Sequence, residues 1–150
     1  LTFDPIPHFA PECFGLLRTQ DISKHKQFQK GLKQLEEEGV MQIFYSPDHV
    51  RREPVLAAVG ELQFDVVMSR LENEYGVKTS VERLPHALAR WIVGDPATIS
   101  AVYWPSDTIR LVDQQGRGVM LFTTEHLLAY CIKSNPSIKF LLREEVEQAQ

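Results

Sequence analysis

The clearest hydrophobic pattern in the chain lies between residues 55 and 75. Five small or apolar residues at 55–59 predict a short buried strand, and Gly60 follows as a tight turn. After the turn, apolar side chains recur at i, i+3, i+4, i+7 and i+11, which is one face of an α-helix; they are Phe64, Val67, Met68, Leu71 and Tyr75. Gly76 then predicts the end of this helix.

The same patterns predict the elements on either side of this strand and helix. Residues 12–19 predict a first strand, residues 21–38 a helix that ends at Gly39, residues 40–45 a second strand, and residues 77–84 a fourth. Gly15 inside the first strand indicates a bulge or a close approach of another backbone. The order over residues 12–84 is therefore β-α-β-β-α-β. Two helices on one face of a four-stranded antiparallel sheet, the ferredoxin-like fold, satisfy that order.

Residues 85–150 carry shorter and weaker patterns. They predict a strand at 88–93, a short helix at 97–102, a hairpin from 108–112 and 119–122, a helix from Thr123 or Thr124 to Lys133, and a strand at 138–142. The polar tail up to Gln150 is expected to fray. The fold class predicted for the whole chain is α+β.

Composition limits the classes of function. With 43% hydrophobic residues among 150, the chain can bury a core. Its net charge of −4 excludes a protein that is basic as a whole, so any RNA contact must come from a local patch. Cys13 and Cys131 lie far apart in apolar runs and are predicted to be reduced core cysteines. The sequence contains no apolar run long enough to span a membrane.

The first predicted helix carries its charges against the helix dipole. Lys24 and Lys26 stand at its start, Lys30 and Lys33 follow, and the glutamates at 36–38 stand at its end. A helix normally has acidic residues at its start and basic residues at its end, and departures from this order often occur at functional sites. We therefore hypothesise that the basic start of this helix contacts phosphate or an acidic partner. The alternative is a solvated, highly charged face.

Two adjacent arginines form a second candidate contact. Arg51 and Arg52 lie near the end of the polar, proline-bounded loop at 46–54. Exposed arginines on a loop are a modest indication of phosphate contact, and ordinary surface charge is the alternative.

Motifs for catalysis are missing from the sequence. It has no phosphate-binding loop of the GxxxxGK[ST] type, no zinc-ligand spacing among its five histidines, and no nucleophile with an adjacent base. We therefore predict no catalytic, cofactor-binding or metal-ligating residue. Trp91 and Trp104 are interpreted as core or interface rings, because basic residues do not alternate with them.

Several stretches resemble the translational GTPases. Residues 58–64 (AVGELQF), with Arg70, Leu71 and residues 74–77, look like the third domain of elongation factor G, and residues 30–40 are similar to its first helix. Residues 6–12 (IPHFAPE), 57–64 (AAVGELQF) and 89–91 (ARW) resemble the C-terminal domain of the class II peptide chain release factors, the release factor three family.

This resemblance implies a domain organisation and a function. Residues 1–11 would be a linker and residues 12–150 one domain, with a ferredoxin-like core at 12–84 and a C-terminal α/β extension at 85–150 packed on it. The GTPase domains, with GTP and Mg²⁺, would precede this chain. In the cytoplasm, the parent protein would bind the ribosome and recycle the codon-reading release factors. This domain would be a lever that contacts ribosomal RNA and small-subunit proteins.

Two alternatives stay open at this point. The chain could be the third domain of another translational GTPase, either an elongation factor G-like protein or a ribosomal protection protein. It could also be a stand-alone ligand-binding or small enzyme domain, because the ferredoxin-like fold does not fix function.

Overall fold

A computed structural model describes residues 11–47 and 53–148. Within these residues the strands are β1 (Cys13–Thr19), β2 (Gln42–Phe44), β3 (Val55–Ala58), β4 (Thr79–Arg83), β5 (Leu88–Val93), β6 (Ile109–Val112), β7 (Gly118–Phe122) and β8 (Lys139–Leu141). The helices are α1 (His25–Glu37), α2 (Leu62–Tyr75), α3 (Pro96–Ala101), α4 (Glu125–Ser134) and α5 (Arg143–Gln148). Apart from Pro11, the predicted linker lies outside the described residues.

The first four strands form an antiparallel sheet in the order β2-β3-β1-β4. This order, with α1 and α2 packed on one face, confirms the predicted ferredoxin-like arrangement. The core between helices and sheet contains Phe28, Leu32 and Leu35 from α1 and Phe64, Val67 and Leu71 from α2. The apolar spacing that predicted both helices is therefore the spacing of their buried faces.

The ends of α2 are fixed by local hydrogen bonds. The Gln63 side-chain oxygen accepts the Gly60 N–H at 2.9 Å, which satisfies a free donor at the helix start. At the other end Gly76 has φ of 69°, which glycine adopts without strain. The Val77 N–H then donates to the Leu71 carbonyl at 2.9 Å, so the chain folds back on the last turn of the helix.

Two glycines allow close packing within this unit. A Cβ on Gly31 would stand 2.6 Å from Leu71 Cδ2, so the absence of a side chain lets α1 approach α2. A Cβ on Gly15 would stand 2.4 Å from Val81 Cγ1 and 3.4 Å from the Phe64 ring. The prediction at Gly15 is therefore wrong: strand pairing runs through Gly15 without a bulge, and the groups that approach it are side chains above β1, not another backbone.

The remaining strands form a second antiparallel sheet in the order β6-β7-β5-β8. The predicted strands, hairpin and helices of this region are confirmed. The prediction that the tail frays is wrong over residues 143–148, which form a helix. There α5 forms because Val146 is buried against the sheets, and the Glu145 carboxylate accepts the Leu142 N–H at 2.9 Å. Because Val146 is the one buried apolar residue of this short polar segment, the sequence shows no apolar periodicity that would predict a helix.

The two sheets pack face to face. Their shared core contains Phe14, Leu16, Phe44, Val55 and Ala57 from the first sheet, and Ala89, Trp91, Leu111, Val119 and Leu121 from the second. The Phe44 and Trp91 rings meet edge to face with centroids 5.7 Å apart. Backbone hydrogen bonds of 2.8 Å in both directions between Tyr45 and Val112 also join the sheet edges. The ferredoxin-like sheet is thus covered by helices on one face and by the second sheet on the other.

A third cluster lies on the outer face of the second sheet, where α3 and α4 cover Ile92, Met120 and Phe122. Cys131 belongs to it, and burial raises the pKa of its thiol. Cys13 and Cys131 are both free and buried, as the sequence predicted. No helix in the described part of the chain is long and apolar enough to cross a bilayer.

Candidate functional site

Three lysines form a ridge along the outer face of α1. Lys26, Lys30 and Lys33 are spaced i, i+4 and i+7, opposite the buried face of the helix, and all three are exposed. At a rise of 1.5 Å per residue, the ridge spans about 10 Å. Within residues 11–47 and 53–148, no carboxylate pairs with any of these ammonium groups. The three charges are therefore available to a partner, and they are called the lysine ridge below.

Lys24 has a different position from the other predicted contact residues. It precedes α1, and its Nζ donates a hydrogen bond to the Gly76 carbonyl at 2.7 Å. This carbonyl stands at the C-terminal end of α2, where the helix dipole favours a cation. The structure thus assigns Lys24 a contact that stabilises the packing of α1 on α2, away from the lysine ridge.

The three glutamates at the end of α1 differ in their surroundings. Glu36 turns inward and accepts the Ile43 N–H at 2.7 Å, which joins α1 to β2. Glu38 accepts two hydrogen bonds from the Arg70 guanidinium, at 2.9 and 3.1 Å, which join α1 to α2. Glu37 is exposed. The alternative interpretation of a solvated charged face is therefore wrong for Glu36, because its carboxylate accepts a backbone N–H from β2.

Burial raises the pKa of Glu36 to about 6, although the Ile43 N–H and the charge of Arg143 act in the opposite direction. The folded state therefore holds this proton more tightly than the unfolded chain. Between pH 4.5 and 6 the folded chain binds more protons, so the contribution of Glu36 to stability falls as pH rises.

Replacing Glu36 by glutamine is expected to remove this loss. The amide oxygen can still accept the Ile43 N–H, and the amide stays uncharged as pH rises. Between pH 4 and pH 7, the variant should gain about 1 kcal/mol relative to the parent chain, since part of the carboxyl still faces water. Urea unfolding at a series of pH values measures the difference. Glu37→Gln controls for the loss of one negative charge, and a parent–variant difference that does not change with pH would contradict the prediction.

A buried polar cluster holds the β6–β7 hairpin against β5. Asp113 Oδ2 accepts the Trp91 indole N–H at 2.9 Å and the Arg117 Nε–H at 2.7 Å. Its Oδ1 accepts the backbone N–H groups of Gln115 and Arg117, both at 2.9 Å. Burial alone would raise the pKa of Asp113, but the hydrogen bonds from Trp91 and Arg117 together lower it.

This cluster borders a cleft of about 190 Å³ between α1, β2 and the hairpin. The sequence predicted the hairpin turn but not the cluster. An aspartate at the first position of a glycine-containing turn was the available signal, because such side chains often accept backbone N–H groups two residues on. Nothing in the spacing indicated that Trp91 would supply a further donor from another strand.

Other sequence predictions have mixed outcomes. Trp91 is buried in the core between the sheets, and Trp104 packs half-buried against Phe140 with ring centroids 6.0 Å apart, so the prediction of packing rings is confirmed. Arg51 and Arg52 lie outside the described residues, and their contact role stays a prediction. No group of three or more potential metal-ligating side chains occurs in the part of the chain that the structure describes.

Comparison with known proteins gives one consistent result. Residues 3–132 match the family model described as Class II release factor RF3, C-terminal domain. The chain is 47% identical over 139 residues to the peptide chain release factor 3 of Cyanothece sp., with 93% of this chain and 26% of the relative covered. It is 46% identical over 141 residues to that of Gloeobacter violaceus and 41% over 140 residues to that of Symbiobacterium thermophilum, each with 93% of this chain covered. The chain spans about a quarter of the length of these relatives.

Proposed function

Because the chain belongs to the family of the class II release factor RF3 C-terminal domain, we propose that it contacts the ribosome and acts as a lever in a GTP-dependent peptide chain release factor. The lysine ridge is the proposed contact surface. Ribosomal RNA and small-subunit proteins are the proposed partners.

The parent protein is proposed to work as follows. GTP and Mg²⁺ bind in domains that precede this one, and the parent promotes recycling of the codon-reading release factors on cytoplasmic ribosomes. Residues 12–150 act as a single domain after a linker at 1–11. The release factors are indirect partners, reached through the ribosome. Contacts that differ between the nucleotide states would couple the GTPase domains to the ribosome, since coupling requires such a difference.

One observation carries this proposal: three lysines that pair with no carboxylate among the described residues stand in line on one helix face, in a chain whose net charge is −4. Because Glu36 and Glu38 bind Ile43 and Arg70, they do not cancel these charges. A local basic ridge on an acidic chain suits phosphate contact, since lysine binds phosphate as a point charge.

The proposal predicts binding to ribosomes that depends steeply on salt. Three lysine–phosphate contacts should give a slope of about −2 to −3 in a plot of log K against log salt concentration. Pelleting the chain with ribosomes across a salt series measures this slope. Absence of binding at low salt, or binding that does not change with salt, would contradict the proposed phosphate contact.

A further inference from the structure

An uncharged ridge runs along the outer face of α2. It consists of Leu62, Val66, Ser69 and Asn73, spaced i, i+4, i+7 and i+11, opposite the buried face of the helix. Its apolar part lies in the first two turns, where Leu62 is 77% and Val66 43% exposed. Val59, just before the helix, is 45% exposed. Val59, Leu62 and Val66 are called the apolar patch below.

The apolar patch lies where the chain enters the domain. The Glu12 N–H donates to the Ala58 carbonyl at 3.0 Å, so the segment that leads into β1 runs beside the residue that precedes Val59. A groove of about 540 Å³ extends from Pro11 past Val40 and Val59 to Gln63. Apolar surface beside a chain entry is well placed to meet whatever precedes that entry.

The apolar patch lies at the opposite end of the helix layer from Lys26, where the lysine ridge begins. Lys24, at the start of α1, binds Gly76 at the end of α2, so the two helices run antiparallel. The start of α2 with its apolar patch therefore lies beside the end of α1, whereas Lys26 lies at the far end. A partner on the patch would leave most of the lysine ridge open.

We propose that the apolar patch is the docking site for the part of the parent protein that precedes this chain. The relatives are about four times as long as this chain, and the matched family is a C-terminal domain, so most of each relative precedes the segment that matches this chain. The eleven residues of the proposed linker reach at most about 40 Å. Such a short tether gives a high effective concentration, so a small apolar surface is sufficient for docking. Docking at the entry fixes the angle at which the domain leaves the GTPase domains.

The inference rests on the proposed parent architecture but not on ribosome contact, so it is tested without ribosomes. In the full-length protein, Leu62→Cys and Ile22→Cys each introduce one thiol at a site that is exposed in this domain, 77% and 87% respectively. The native Cys13 and Cys131 stay in place because both are buried. Alkylation of each cysteine is followed by peptide mass mapping. We expect the thiol at position 62 to react at least ten-fold more slowly than the thiol at position 22.

A second variant separates docking from local charge effects. Adding Val59→Ser and Val66→Ser to the Leu62→Cys protein weakens the apolar contact without adding charge, so alkylation at position 62 should accelerate at least five-fold. Equal rates at positions 62 and 22 would overturn the proposal, as would slow alkylation that the serine substitutions do not change. Slow alkylation that disappears on dilution would also overturn it, because a second copy would then cover the patch. None of these results bears on the lysine ridge.

Discussion

Full-length protein with Lys26→Gln, Lys30→Gln and Lys33→Gln is expected to bind ribosomes about 100-fold more weakly than the parent protein. Each exposed lysine that contacts a phosphate contributes about 1 kcal/mol of binding free energy near physiological salt. The three lysines together contribute about 3 kcal/mol, which corresponds to about 100-fold in affinity. The plot of log K against log salt concentration should become shallower by about 2 to 3. Pelleting with ribosomes across a salt series gives both quantities.

The matched control removes the same charge elsewhere. Lys78, Lys133 and Lys139 are exposed and lie outside α1, so their joint replacement by glutamine changes the net charge equally. We expect this control to keep nearly all of the affinity. If both triple variants lose affinity equally, the effect comes from overall charge and the lysine ridge is not a specific contact surface. Lys24→Gln is excluded from the test because it would remove the hydrogen bond to Gly76.

Replacing Asp113 by alanine is expected to lower the free energy of unfolding by about 3–5 kcal/mol. The substitution leaves the buried indole N–H of Trp91 without its acceptor and the Arg117 guanidinium without its counter-ion. Removing one member of a buried, hydrogen-bonded ion pair leaves the other charge uncompensated, which costs this amount. For a chain of this size the melting temperature should fall by about 10 °C.

The pH dependence of the same variant provides a second readout. Because the folded-state pKa of Asp113 is lowered, its contribution to stability is present above the unfolded pKa and is lost as pH falls through the folded pKa. The parent chain should therefore lose part of its advantage over Asp113→Ala in acid. Trp91→Phe, which deletes the indole N–H and keeps an aromatic ring, should cost less than Asp113→Ala. A loss of under 1 kcal/mol for Asp113→Ala would mean that the cluster does not hold the hairpin.

Most of the ferredoxin-like unit could be predicted because its periodicities coincide with its buried faces. The apolar spacing of α2 and the glycine after it are local features, and the structure places them as predicted. The contact between the two sheets could not be predicted in this way. Phe44 and Trp91 meet across 47 positions of the sequence, and nothing in either strand specifies the other as its partner.

In the candidate site, too, local features could be predicted from the sequence, whereas contacts between distant elements could not. The sequence predicts Lys26, Lys30 and Lys33 as contact residues of the first helix, and in the structure they lie on one face of it. The separate positions of Lys24, Glu36 and Glu38 depend on Gly76, Ile43 and Arg70, which come from other elements. The unfavourable charge order along α1 is thus explained in part by tertiary contacts. From the sequence alone, this charge order predicts either a functional contact or a solvated face.

The most direct test of the central claim is the reactivity of individual lysines in the full-length protein with and without ribosomes. Acetylation followed by mass mapping measures Lys26, Lys30 and Lys33 in the same sample as Lys133 and Lys139. Lysine–phosphate contact predicts that ribosomes slow acetylation of the three ridge lysines several-fold and leave Lys133 and Lys139 unchanged. Equal acetylation of Lys26, Lys30 and Lys33 in bound and free protein would contradict the assignment of this helix face to the ribosome.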